Sequence, residues 1–153
     1  LLFSIRLFTR IIYMQTFLPY PSYKKSASVL DYRRLGKQRV EAWQILNCLL
    51  NTGSTGWKHH PAVKMWKGYE YSLCLYGMAI CLEWRNRGYK DSLLPEFNDI
   101  ALARLGEKHH RPPWTGNTAF HTSHQSNLLK KLPSHYSKFF KDVPDNLPYV
   151  WPV

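Results

Sequence analysis

Four cations and two carboxylates crowd the stretch Asp31-Tyr-Arg-Arg-Leu-Gly-Lys-Gln-Arg-Val-Glu41. On a helix they span three turns, and Lys37 and Glu41, four residues apart, project to the same side. Arg33, Arg34, Lys37 and Arg39 are residue types that neutralise phosphates. A solvated helix laced with ion pairs would carry the same charges, but cations outnumber acids here in a chain that is basic throughout, which favours a polyanionic partner. Histidines recur as His59-His60, His109-His110 and His121-x-x-His124. No Cys-x-x-Cys, His-Glu-x-x-His or acidic cluster completes a ligand set, so no metal is expected. His121, Ser123, His124, Ser126 and Asn127 gather on one segment after Trp114. Two readings of them stay open: a structural hydrogen-bond network, or a surface for phosphates and base edges. Gly-rich phosphate loops, a nucleophile elbow and a Rossmann fingerprint are absent, which argues against nucleotide hydrolysis and acyl transfer.

The elements that must carry these groups read as helices. Ser26 to Leu50 lacks proline, and Val29, Leu35, Trp43, Leu46 and Leu50 roughly keep helical spacing while Arg33, Arg34, Lys37, Gln38 and Glu41 fall elsewhere, which predicts one amphipathic helix with a charged face. Ser28 followed by Asp31 fits a capping pattern, and Gly36 suggests a kink or a close backbone approach. Pro61 to Arg87 carries Trp66, Tyr69, Leu73, Tyr76, Ile80 and Trp84 at intervals of three and four, and Gly88 ends it. Further helices are expected over Pro95–Leu105, Thr118–Leu132 and Ser134–Phe140. His109 to Gly116 reads as a Pro-rich loop, and Asp142 to Val153 as an extended Pro-rich tail pinned by Leu147, Tyr149 and Trp151. The expectation is an all-α, compact, single-domain helical bundle over 14–153.

Size and charge narrow the class. A chain of 153 residues with 44% hydrophobic content can bury one core. Its formal charge of +11 comes from 21 Lys and Arg against 10 Asp and Glu, and stays at +9 without residues 1–13. The basic residues are spread along the chain among 23 aromatics instead of lying on one amphipathic helix, which favours nucleic acid over a membrane surface. Cys48, Cys74 and Cys81 lack paired spacing and read as reduced, buried thiols, so the expected setting is cytoplasmic, near nucleoid or viral DNA. Leu1 to Tyr13 is too short and too interrupted by Arg6 and Arg10 to span a bilayer. Met14-Gln-Thr-Phe-Leu reads as a natural start, which makes residues 1–13 a non-native or disordered extension.

Taken in order, Met14-Gln-Thr-Phe-Leu, Leu30-Asp-Tyr-Arg-Arg-Leu-Gly-Lys-Gln-Arg-Val-Glu, His60-Pro-Ala-Val-Lys-Met-Trp-Lys-Gly-Tyr-Glu, Glu83-Trp-Arg-Asn-Arg-Gly-Tyr-Lys-Asp and Phe120-His-x-Ser-His-x-Ser-Asn-Leu-Leu resemble the pyrimidine-dimer DNA glycosylase (endonuclease V) family. The resemblance runs from Met14 to the C-terminus. It implies an all-helical enzyme that kinks lesion-containing double-stranded DNA and displaces a nucleotide. An amine then attacks the anomeric carbon, forming a Schiff base that can proceed to strand cleavage, while an acidic side chain assists and no cofactor is needed. The family's nucleophile is the amine exposed after Met removal. Met14 is followed here by the large Gln15, and an alignment on Tyr32-Arg33 puts Arg34 where the family has its catalytic Glu. Glu41 is the nearest replacement acid, with Asp31 second, and Lys37 is a backup amine beside Met14. Arg33, Arg34 and Arg39 would hold phosphates, with His60, Trp114, His121, His124 and Asn127 as further DNA contacts. A monomer acting on DNA is the leading expectation; a non-catalytic nucleic-acid-binding module and an RNA-acting protein are the rivals.

Overall fold

The helix expected over Ser26–Leu50 is two helices, α1 (Tyr23–Val29) and α2 (Tyr32–Leu50), divided where Leu30 turns extended (φ −67°, ψ 136°). The cause is Asp31. Its backbone is extended and its carboxylate accepts from the Arg34 amide, so it starts a new helix instead of continuing the old one. Ser28 does not cap α2; it sits inside α1 and its hydroxyl donates to the Lys25 carbonyl (2.6 Å). The periodic run from Pro61 to Arg87 is likewise broken, into α3 (Pro61–Lys64) and α4 (Glu70–Asn86). Gly68, at φ +87°, makes the turn between them, a conformation that glycine adopts at little cost. The apolar spacing survives the break because Met65 and Trp66, in the turn, are themselves core residues. α5 (Leu94–Ala103), α6 (Thr118–Lys131) and α7 (Pro133–Tyr136) follow.

The computed structural model describes residues 14–53, 55–107 and 111–153. The extension at 1–13 and the His109-His110 pair lie outside these residues. Among the described residues there are seven helices and no strand, so the fold is all-α. The central α4 packs against α1, α2 and α5, while α6 packs on α7. It buries Leu73, Cys74, Tyr76, Gly77, Ile80 and Cys81, as a helix with neighbours on several sides must. Two glycines set how closely those neighbours approach. The indole of Trp84 lies 2.8 Å from where a Cβ on Gly36 would be, and the Phe97 ring lies 2.4 Å from where one on Gly77 would be. The three cysteines are free and buried, and desolvation pushes the Cys74 and Cys81 thiols up to about 12. No helix among the described residues is long and apolar enough to cross a membrane.

The most unusual element is not a helix. Residues 14–18 are non-helical yet buried, with Leu18 and Thr16 at 0% exposure. A buried backbone outside secondary structure must find partners for its amides and carbonyls, and here side chains from α2, α4 and α6 supply them. Gln38 Oε1 accepts from the Phe17 amide (3.0 Å), and Gln38 Nε2 donates to the Gln15 carbonyl (2.7 Å). The Tyr76 hydroxyl reaches the Phe17 carbonyl (2.9 Å). His124 Nδ1 accepts from the Leu18 amide (2.9 Å), and His121 Nδ1 donates to the Leu18 carbonyl (2.8 Å). Gln125 Nε2 donates to the Pro19 carbonyl (2.8 Å).

Replacing Gly77 tests the α4–α5 contact. Gly77→Ala should destabilise the protein by about 1–2 kcal/mol in urea unfolding, because the overlap with a buried ring outweighs the gain of about 1 kcal/mol in helix propensity. A neutral or stabilising result would mean that Phe97 yields freely.

Candidate active site

Asp31 governs the geometry at the start of α2. Its carboxylate accepts from the Arg34 guanidinium (3.1 Å) and from the Tyr136 hydroxyl (2.5 Å), and the same hydroxyl accepts from the Asp31 amide (3.0 Å). Desolvation works to raise the Asp31 pKa, but the Tyr136 and Arg34 hydrogen bonds and the Arg34 charge outweigh it and hold the carboxyl below its ordinary range. Tyr136 belongs to α7, so this pair docks α7 and the end of α6 beside the first turns of α2. Between them lies a cleft of about 750 Å³.

Phe17, Gln38 and Glu41 form the floor of the cleft, at 7%, 1% and 4% exposure. Tyr32, Arg33, Lys37 and Lys131 stand exposed at its rim, with Arg34, Leu132 and His135 partly buried in its walls. Glu41 is held at both oxygens: Lys37 Nζ lies 3.5 Å from Oε1 and Gln38 Nε2 donates to Oε2 (3.1 Å). Gln38 in turn receives the Tyr76 hydroxyl on Oε1 (2.6 Å). A buried carboxylate thus faces a cavity ringed by cations. Desolvation, followed by the charges of Arg34, Lys37 and Lys130, lowers the Lys131 pKa from its ordinary value.

The structure brings together Arg33, Arg34, Lys37 and Glu41, but Glu41 and Gln38 lie on the buried side of α2, not on an outer charged face. Arg39 is turned elsewhere. It pairs with the wholly buried carboxylate of Asp91 and lies 4.9 Å over the Trp84 ring. Arg85 pairs with the same carboxylate (3.3 Å), which also accepts from the Leu94 amide (2.9 Å), so Asp91 ties α2, α4 and the start of α5 into one joint.

The remaining expected DNA contacts are structural in their surroundings. Trp114 is 6% exposed and packs edge-on against Trp66. His60 caps α3, its Nδ1 accepting from the Ala62 amide (3.0 Å). Asn127 donates to the Ser123 and Leu147 carbonyls (2.8 and 3.0 Å), fastening the C-terminal segment. His121 and His124 lie inside, bonded to Leu18; His121 Nε2 also accepts from the Gly116 amide (2.9 Å). Met14 is buried at 3% exposure in the core. Among the described residues no group of three potential ligands could hold a metal ion. Lys131, His135 and Tyr136 were not singled out from sequence. They lie about a hundred residues from α2, and no local pattern announces that they meet it.

Residues 14–95 match the family model described as pyrimidine dimer DNA glycosylase. That is more than half of the chain, which belongs to this family of DNA-repair glycosylases and so has DNA as its substrate. No curated protein matches the chain, and neither does any solved structure.

The buried histidines carry a pH signature. Desolvation, and then the neighbouring His121, lower the His124 pKa from 6.5 to about 3, and desolvation also lowers that of His121. As pH falls from 6.5 toward 3, the unfolded chain binds protons that the folded one refuses, so stability must decline through that window. Unfolding free energy measured against pH should show this loss, on the order of a few kcal/mol. His124→Gln should flatten the slope whatever it does to stability at neutral pH; an unchanged slope would place the acid sensitivity elsewhere.

Proposed function

We propose that the protein excises a damaged base, such as a pyrimidine dimer, from duplex DNA as a monomer, and that AP-lyase cleavage can follow through an amine adduct. The observation that carries the reading is the buried Glu41 carboxylate at the floor of a cation-rimmed cleft. A base stacked in a duplex cannot reach such a floor, so the nucleotide must be extruded. A cavity of about 750 Å³ lies within the range of small-ligand sites. Arg33, Arg34 and Lys37 hold the backbone phosphates around the displaced nucleotide. Glu41 promotes glycosidic cleavage: its negative charge stabilises the oxocarbenium-like sugar, and low local dielectric strengthens that attraction. Lys37 and Gln38 keep the carboxylate in place. Lys37 is the amine that the sequence offers within the cleft for the adduct; Met14 could offer one only from a chain that begins there, and it lies buried in the core. No step in this scheme calls for a cofactor.

Glu41→Gln keeps the shape and removes the charge. Glycosidic-bond cleavage in a duplex carrying a cyclobutane pyrimidine dimer should fall about 100- to 10,000-fold with binding retained. Unchanged turnover would sink the role of Glu41, and binding by the unaltered protein with no glycosidic cleavage of dimer or uracil duplexes and no incision of abasic ones would favour a non-catalytic module. Tighter binding to RNA than to duplex DNA at equal salt would overturn the repair reading.

The two faces of α2 give a separate test. Arg33→Ala should lower duplex affinity at every sequence and reduce the slope of log affinity against log salt by about one. Arg39→Ala should leave that slope unaltered and lower the unfolding midpoint, since it leaves the buried Asp91 carboxylate with Arg85 as its remaining ion-pair partner. The opposite pattern would put the DNA on the other side of the helix.

A further inference from the structure

The geometry points to Lys131 as the amine that attacks the sugar, an inference that rests on the glycosylase reading above. The cations of the cleft are not equivalent. Arg33 and Arg34 are guanidinium groups, which do not give up a proton in proteins. Lys37 is engaged in an ion pair, its Nζ lying 3.5 Å from the Glu41 carboxylate. Lys131 lines the same cleft from the opposite wall and has no carboxylate within ion-pair distance among the described residues.

The groups that face Lys131 explain its readiness. Across the cleft α2 presents Arg34 and Lys37, with Asp31 and Glu41 each engaged by one of them; on its own helix stands Lys130; α7 contributes His135, whose Nε2 donates to the Val29 carbonyl (2.8 Å). Like charges nearby make the neutral amine easier to reach, and the lowered pKa follows from desolvation and then these cations. Lys131 also ends α6 at the rim, where a flexible four-carbon stem can reach down to a nucleotide seated over Glu41. Residues 14–95 supply the carboxylate wall, and the amine comes from outside that matched stretch.

In the proposed step the Nζ lone pair forms a bond to C1′ as the glycosidic C1′–N bond breaks, its electron pair leaving with the base. Nitrogen then forms a double bond to C1′ as the C1′–O4′ bond opens. The two amine protons end on the departing base nitrogen and on O4′, the first relayed by Glu41. An imine joins Lys131 to the opened sugar.

The test is borohydride trapping of the full chain on duplexes carrying a cyclobutane pyrimidine dimer, uracil or an abasic site, with the adduct mapped by peptide mass spectrometry. The expected result is a trapped adduct on Lys131. An adduct on Lys37 or on the chain's terminal amine overturns the assignment while leaving the glycosylase reading intact. Glycosidic-bond cleavage with no trapped adduct does the same, because it describes a glycosylase that uses water. Neither cleavage nor adduct on any duplex rejects both readings. Lys131→Arg keeps the charge at an exposed position, so duplex binding should hold within about twofold while trapping falls about 100-fold; undiminished trapping in that variant also overturns the assignment.

Discussion

The structure depends on one constraint: a non-helical stretch of backbone, residues 14–18, runs through the core of a helical protein and cannot be left unpaired there. An unsatisfied buried amide or carbonyl costs on the order of 1–3 kcal/mol, so several would be ruinous for a domain of ordinary stability. Gln38 answers the demand at two points and with both ends of its amide, and its donor end also holds Glu41. The group that settles the N-terminal segment therefore also settles the carboxylate of the cleft. Core packing and site geometry share one side chain.

The same demand explains where the polar residues of α6 went. His121, His124 and Gln125 give their side chains to Leu18 and Pro19, and Ser123, Ser126 and Asn127 give theirs to the final segment: Ser126 Oγ accepts from the Leu147 amide and Ser123 Oγ from that of Val150, both close to 3 Å. A helix that reads as a nucleic-acid surface is a scaffold for two extended strands of chain, one at each end. What it contributes to the cleft is its last residue, Lys131.

Membership in the pyrimidine dimer DNA glycosylase family is carried by residues 14–95, which include the buried N-terminal stretch, α1, the whole of α2 and the Asp91 joint. Within that stretch lie both acids of the cleft: Asp31, bonded to Arg34 and Tyr136, and Glu41, at the third turn of α2, held on its floor where the helix meets the core. The far wall comes from α6 and α7, which the Asp31–Tyr136 hydrogen bonds draw against the start of α2. A short helix of four residues, α7, thereby lines the cleft through His135.

By itself the sequence determined the helical class, most helix ends, the basic character, and the cluster Arg33, Arg34, Lys37 and Glu41, because periodicity, capping residues and charge are local properties that survive without a partner. Family resemblance was legible for the same reason, as ordered motifs along the chain. The burial of Gln38 and Glu41, the turning of Arg39 onto Asp91 and Trp84, the withdrawal of His121 and His124 into the core, and the meeting of Lys131 with α2 were decided only by tertiary structure. Each depends on a partner tens of residues away, and a polar side chain read from sequence shows what it can bond to but not which backbone atom will need it.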